Sequence, residues 1–104
     1  MVADIEAVIA EAKRYADEVR RQLPVDKVYL FGSYAKGTAD ELSDVDVCFF
    51  LRDYGGKARV DVGIRLLRIA RDFKAYWEPL VFETAEIERK NPFVNEIVST
   101  GVEL

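Results

Sequence analysis

The sequence predicts an α/β (α+β) domain in which a small mixed sheet of three to four strands carries helices packed mainly on one face. Two observations support this fold class. Two long segments repeat apolar residues at helical spacing, and short runs of β-branched and aromatic residues lie between and after them. The expected order is helix, strand, turn, strand, helix, strand, helix, helix. Because there is no internal repeat and no linker, residues 1–104 are expected to form one domain.

The first half of the chain is expected to hold one long helix and two strands. Apolar residues mark one face of the helix, and Pro24 ends it. The first strand is buried and ends at Gly32, whereas the second begins with polar and apolar residues in alternation. The predicted elements are a helix over 3–23, a strand over 27–31, a loop over 38–43 and a strand over 44–51.

The second half is expected to begin with a second long helix over 58–76. Its stripe of apolar residues extends from Val62 to Trp77, and Gly63 within it indicates that something packs close to the helix. The remaining predicted elements are a strand over 80–82 that starts near 77, short helices over 84–90 and 93–99, and an edge strand over 102–104.

Composition excludes several classes of function. The chain has 15 Lys and Arg against 19 Asp and Glu, and this acidic balance argues against general nucleic-acid binding. There is no His, and Cys48 is the single Cys, so imidazole catalysis, an intrachain disulfide and a cysteine metal cluster are excluded. With no signal sequence or membrane-spanning run, a cytoplasmic location without membrane contact is expected.

Asp44 and Asp46 suggest a metal site. Residues two apart in a strand point to the same side, so these carboxylates would lie side by side and repel each other. A divalent cation such as Mg²⁺, which prefers oxygen ligands, would offset that repulsion. A strand end that simply runs into solvent is the alternative.

Gly32 and Ser33 suggest a phosphate site. A turn from a strand into a helix offers free N–H groups, glycine lets a phosphate approach the backbone, and the serine hydroxyl adds a donor. Taken alone, the pair could be a plain turn. Placed opposite the two carboxylates on a neighbouring strand, it predicts phosphoryl or nucleotidyl transfer with two metal ions.

The segment from Gly32 to Gly37, Gly-Ser-Tyr-Ala-Lys-Gly, together with Ser-Asp-Val-Asp at 43–46, resembles the signature of the minimal nucleotidyltransferases (MNT) of the polymerase-β-like superfamily. The resemblance covers essentially the whole chain. It implies a nucleotidyltransferase core and an enzyme that uses ATP as donor and two Mg²⁺ ions.

The resemblance also implies roles for individual residues. Gly32 and Ser33 would bind the nucleotide triphosphate, and Asp44 and Asp46 would be catalytic metal ligands. The family has a third carboxylate on the strand after the long helix, and here Glu78 takes that place as metal ligand and base. Two points differ from the family pattern, which more often has Asp there: the residue is Glu, and Pro79 follows it, which suits only an edge strand or a bulge. Glu83 is the alternative third carboxylate.

The same resemblance implies a protein partner. The chain is similar to antitoxins of HEPN/MNT modules, which implies transfer of AMP to a tyrosine hydroxyl of a HEPN-type toxin within a hetero-oligomer. Residues 57–74 hold six basic and two acidic residues, so Arg65, Arg68 and Arg71 form either a docking surface or a solvated helix face. The alternatives are a non-catalytic module that binds nucleotide or neutralises the toxin by contact, and an enzyme acting on a small molecule or RNA.

Overall fold

Helices and strands alternate along the chain in the computed structural model, which describes residues 4–40 and 42–104. The elements are α1 (Ile5–Gln22), β1 (Val25–Phe31), α2 (Ser33–Lys36), β2 (Val45–Leu51), α3 (Arg59–Ala70), β3 (Trp77–Glu83), a 3₁₀ turn (Thr84–Ile87), α4 (Pro92–Thr100) and β4 (Val102–Glu103). None of these helices is long and apolar enough to cross a membrane. The predicted helix start at Ala3, and Glu41 in the predicted loop, lie outside the described residues.

The strands form one mixed sheet in the order β3-β2-β1-β4. Strand β1 is antiparallel to both β2 and β4, whereas β2 and β3 are parallel and α3 connects them. The predicted fold class is therefore confirmed. Because β3 is an edge strand, Pro79 can lie within it without removing an N–H that a neighbour needs.

The two faces of the sheet are covered by different helices. The long helices α1 and α3 pack on one face, over a core that includes Tyr15, Phe49 and Leu66. The shorter α4 and the 3₁₀ turn pack on the opposite face, over a smaller cluster that includes Cys48 and Phe50. Helices on one face therefore dominate, as predicted, and α4 adds a second layer.

The prediction that α3 extends to residue 76 is wrong, because the helix ends at Ala70. Phe73 and Trp77 continue the apolar stripe but lie in the following loop and at the start of β3. Both rings still pack on Tyr15, with ring centroids 5.7 and 4.9 Å away. The spacing of apolar residues indicates which side chains face the core. Here the last two of those side chains reach the core from residues that follow the helix.

A glycine inside a helix predicts that another part of the molecule packs close to it, and Gly63 of α3 has no such neighbour among the described residues. No atom elsewhere in the described residues lies within 4 Å of the position that a Cβ would take there. It lies inside α3 and its φ is not positive, so its backbone does not require glycine either. The expectation that something packs close to Gly63 is therefore wrong for contacts within the described chain.

Tyr15 connects the two long helices through a buried hydrogen bond. Its hydroxyl donates to the backbone carbonyl of Leu66 at 2.7 Å, and the side chain is fully buried. Tyr15→Phe should lower the free energy of unfolding by about 1 kcal/mol, because it removes one hydrogen bond. Thermal denaturation should show a Tm lower by about 4–8 °C. Tyr76→Phe, at a largely exposed ring, should melt like the wild type; equal melting of both variants would contradict the prediction.

Candidate active site

The turn after β1 is built around Gly32. Its φ of 73° and ψ of −149° belong to a region that is essentially restricted to glycine. Helix α2 starts at the next residue and ends at Lys36, and its C-cap Gly37 is left-handed with a φ of 75°. The N–H groups of Ser33 and Tyr34 open α2, so they have no acceptor within that helix. The predicted phosphate turn is therefore a sharp bend with backbone donors at its start.

Asp46 lies directly against this turn. It pairs in register with Phe31, the last residue of β1, so its side chain stands next to Gly32. A methyl group built on Gly32 would overlap Oδ2 of Asp46 and lie 3.0 Å from its Cγ. The missing side chain at Gly32 is thus what allows the carboxylate and the turn to approach each other.

Glu78 stands beside Asp46 on the parallel neighbour strand. The two residues are register partners in β2 and β3, and their side chains are within hydrogen-bonding reach. Asp44 is exposed, immediately precedes β2 and contributes its negative charge to the environment of Asp46. The structure therefore brings all the predicted site residues to one end of the sheet, and their functional roles stay predictions.

The pKa of Asp46 is raised from 3.8 to about 6. Burial is the largest cause, followed by the hydrogen bond with Glu78 and by the negative charges of Glu78 and Asp44. No ion pair in the described part of the chain includes any of these three carboxylates. The negative charge of this cluster is therefore not offset by an ion pair within the described residues.

This arrangement fits a divalent cation held partly by the substrate. No group of three or more acidic, His or Cys side chains within residues 4–40 and 42–104 forms a metal cage by itself. Mg²⁺ is usually bound by one or two carboxylates together with waters and substrate phosphates rather than by such a cage. Asp46 and Glu78 carry negative charge that no ion pair in the described residues offsets, and Asp46 lies against the turn that opens α2. This arrangement matches that mode of binding.

Glu83, the alternative third carboxylate, lies at the wrong end of its strand. It pairs with Leu51, the last residue of β2, whereas Glu78 pairs with Asp46 near the first. Five residues of strand separate the two glutamates by about 16–17 Å, and strand alternation turns them to opposite faces. The geometry therefore favours Glu78.

A pocket that the sequence did not predict adjoins the turn. It has a volume of about 190 Å³ and lies between the start of α2 and one face of α4. An ion pair between Lys36 Nζ and Glu96 Oε1, at 3.8 Å, connects the two helices beside it. The lining residues are Phe31, Gly32, Lys36, Phe93, Glu96, Ile97 and Thr100. The sequence did indicate, through helical spacing, that these α4 residues lie on one face of a helix. It could not show that this helix packs beside Gly32.

Asp46→Asn should stabilise the protein in the absence of divalent cations. Because folding raises the pKa of Asp46, the native state is favoured while the carboxyl is protonated and loses that advantage as pH rises from about 4 to about 6. The variant should therefore match the wild type in Tm at pH 4. At pH 7, with EDTA present, its Tm should be higher by about 4–8 °C, or roughly 1 kcal/mol after allowance for the partial exposure of Asp46.

Asp53→Asn serves as the control for this measurement. Asp53 lies beyond the other end of β2 and is exposed. Its substitution should give the same small change at both pH values. A Tm difference for Asp46→Asn that does not depend on pH would contradict the prediction.

A known protein family matches most of the chain. The sequence profile of the family described as "Nucleotidyltransferase domain" matches residues 12–100, which include every predicted site residue. The chain therefore belongs to the nucleotidyltransferase domain family. The expected class of enzyme, a nucleotidyltransferase, is confirmed.

Two individual proteins are similar over most of the chain. A protein of Methanocaldococcus jannaschii, described as a "putative protein adenylyltransferase", is 28% identical over 105 aligned positions that cover 97% of this chain and 99% of that protein. The crystal structure of a "putative nucleotidyltransferase" from Sulfolobus solfataricus has a TM-score of 0.68 at 23% identity and covers 95% of this chain and 80% of that one. At that identity, the second match shows the fold alone.

Proposed function

We propose that this nucleotidyltransferase transfers AMP from ATP to a tyrosine hydroxyl of a partner protein, a HEPN-type toxin, and acts as its antitoxin. The observation that carries the proposed chemistry is the contact of Gly32 with Asp46, with Glu78 alongside, because it joins a phosphate turn to a carboxylate cluster. The similarity to a protein described as a "putative protein adenylyltransferase" supports a protein as the acceptor.

The chain would bind the triphosphate through the turn and the metal through the carboxylates. The backbone of Gly32 and the hydroxyl of Ser33 would contact phosphate oxygens, since both lie where β1 opens into α2. Asp44, Asp46 and Glu78 would hold two Mg²⁺ ions, which would neutralise phosphate charge and lower the pKa of an attacking hydroxyl. The pocket that shares Gly32 with this site would receive the nucleoside, against the ring of Phe93.

The proposed transfer is a single displacement at phosphorus. The tyrosine oxygen forms a bond to the α-phosphorus of ATP, and the bond from that phosphorus to the oxygen bridging toward the β-phosphate breaks. Pyrophosphate leaves, and the phenolic proton passes to a carboxylate oxygen of Glu78. Glu78 suits this role because it is exposed beside Asp46 and can release the proton to solvent.

The proposal is tested with ATP labelled at the α-phosphate. The chain, Mg²⁺ and the candidate toxin encoded by the neighbouring gene are mixed, and the label on the toxin is measured after electrophoresis and by mass spectrometry. We expect AMP on a tyrosine of the toxin, no label from γ-labelled ATP, and no transfer in EDTA.

Other outcomes separate the alternatives. Full neutralisation of the toxin without label would support inhibition by contact. Labelling of free RNA or of an aminoglycoside without any protein partner would support a different acceptor. Either result would contradict the proposed reaction.

A further inference from the structure

A shallow apolar groove lies between α3 and the free edge of the sheet, on the opposite side of β3 from its pairing with β2. Its volume is about 540 Å³. Three large apolar side chains of α3 remain open to solvent along it: Val60 is 67% exposed, Ile64 43% and Leu67 51%. We call this surface the α3 groove; besides these residues, its lining includes Gly63, Pro79 and Leu80.

Gly63 lies in the centre of the α3 groove, where it exposes the backbone of the helix. A glycine inside a helix costs about 1 kcal/mol relative to alanine, and no contact in the described chain requires it. Val60, Ile64 and Leu67 follow one another at spacings of four and three residues, so they form one stripe beside it. A stripe of this kind with a small residue in its middle allows another helix to approach closely.

Unbalanced positive charge borders the α3 groove. On α1, Arg14, Arg20 and Arg21 each pair with an acidic residue three positions earlier. By contrast, Arg68 near the end of α3 and Arg71, which caps that helix, are exposed and follow Ile64 and Leu67 by one turn. No ion pair in the described residues includes any residue of 57–74. A partner with acidic residues next to its apolar surface would complement this charge.

Two other occupants of the α3 groove, an added β-strand and a second copy of this chain, are disfavoured by the edge of β3 and by the positive charge of α3. Pro79 has no N–H in the part of β3 that lines the groove, so the edge is a poor template for an added strand. A second copy of this chain, docked around a two-fold axis, would bring the same positive surplus of α3 against itself. The occupant that fits the α3 groove best is therefore a helix of a different protein.

We propose that the α3 groove docks one α-helix of a partner protein, with a stripe of small and apolar residues that crosses α3 at Gly63 and acidic residues flanking the stripe. The docking involves α3 and the outer edge of β3, whereas the candidate active site lies at the α2 end of the sheet on the α4 face. The inference concerns binding alone and stands whether or not the proposed transfer is correct.

The test uses two synthetic helical peptides as probes. Both carry the same stripe of Leu and Ala, flanked by Glu in one peptide and by Lys in the other. Titration into the ¹⁵N-labelled full chain should show at least about tenfold tighter binding of the Glu peptide, with amide shifts centred on Val60–Leu67. Arg71→Glu should weaken binding of the Glu peptide and strengthen binding of the Lys peptide.

Gly63→Leu and Ala7→Leu form a matched pair of variants. Each adds the same side chain at a position in a long helix, but Ala7 is exposed on α1 away from the groove. Only Gly63→Leu should reduce affinity for the Glu peptide, by at least about tenfold, while circular dichroism shows both variants folded. Equal affinity for the two peptides, or shifts outside the α3 groove, would overturn the proposal. So would a dimer in sedimentation that Gly63→Leu dissociates, because the face would then bind a second copy.

Discussion

Replacing Asp46 with Asn is expected to slow nucleotidyl transfer by about 10²–10³-fold, the loss typical when one preorganised electrostatic group is removed from an active site. Asn keeps the shape of the side chain but removes the charge that lies against Gly32 and beside Glu78. Asp44→Asn should give a loss of the same order. The rate is measured as label transferred from α-labelled ATP under single-turnover conditions, so that product release does not mask the chemical step.

Two controls come from the same strands. Asp53→Asn, beyond the far end of β2, should transfer at the wild-type rate. Glu78→Gln should be impaired and Glu83→Gln should not, because only Glu78 is paired with Asp46. Wild-type rates in both Asp44→Asn and Asp46→Asn would show that the carboxylate cluster is not the catalytic site.

The same Asp46→Asn variant is expected to be more stable than the wild type at pH 7 without metal. Residues that cost stability in the free protein and are needed for activity are typical of functional sites, since selection maintains the strained arrangement for its function. A gain in stability together with a loss of activity in this one variant would therefore support a catalytic role for Asp46 more strongly than a loss of activity alone.

Gly32→Ala is expected to have the largest effect on stability, with a loss of at least about 3 kcal/mol and a fall in Tm of more than about 12 °C. Two costs add at this position. The φ of 73° with ψ of −149° is strained for any residue with a Cβ, and the new methyl group would overlap Oδ2 of Asp46. Because the carboxylate must move, transfer should also fall by about 10²-fold in the fraction that folds.

Gly37→Ala separates these two costs. Gly37 also has a positive φ, of 75°, but no atom of the described residues lies within 4 Å of its missing Cβ. Its substitution should cost about 1–2 kcal/mol and leave transfer close to the wild-type rate. Combining Gly32→Ala with Asp46→Ala should recover part of the lost stability, because the overlap is gone, without recovering transfer. Equal stability of Gly32→Ala and Gly37→Ala would contradict the importance of this contact.

Local patterns in the sequence predicted the elements well where local forces decide them. The alternation at 44–51 identified β2, and Pro24 marked the end of α1 correctly to within two residues. The end of α3 was misplaced because Phe73 and Trp77 keep the helical spacing while packing on Tyr15 from outside the helix. The periodic spacing of apolar residues shows which side chains are buried, but more than one backbone conformation can bury the same side chains.

The candidate site was predictable in its residues but not in its full geometry. Asp44 and Asp46 are two residues apart, so the predicted strand over 44–51 placed them on one side. Asp44 in fact lies just before β2, and its proximity to Asp46 follows from their closeness in sequence. The pairing of Asp46 with Glu78 depends on the register of two parallel strands that α3 separates, and the residues alone left Glu83 open. The pocket beside Gly32 depends on where α4 packs, which is a long-range contact that no local pattern encodes.

The burial of Cys48 gives the protein an internal chemical probe. Its side chain is fully buried under α4, on the strand face that Asp46 shares two residues earlier in β2. Burial raises the pKa of the thiol to about 12. A thiol in this state reacts with a disulfide reagent only when the layer above it opens. Since the chain has a single Cys, the rate of modification reports how often α4 lifts from the sheet. If the nucleotide binds between α2 and α4 as proposed, it should slow the modification.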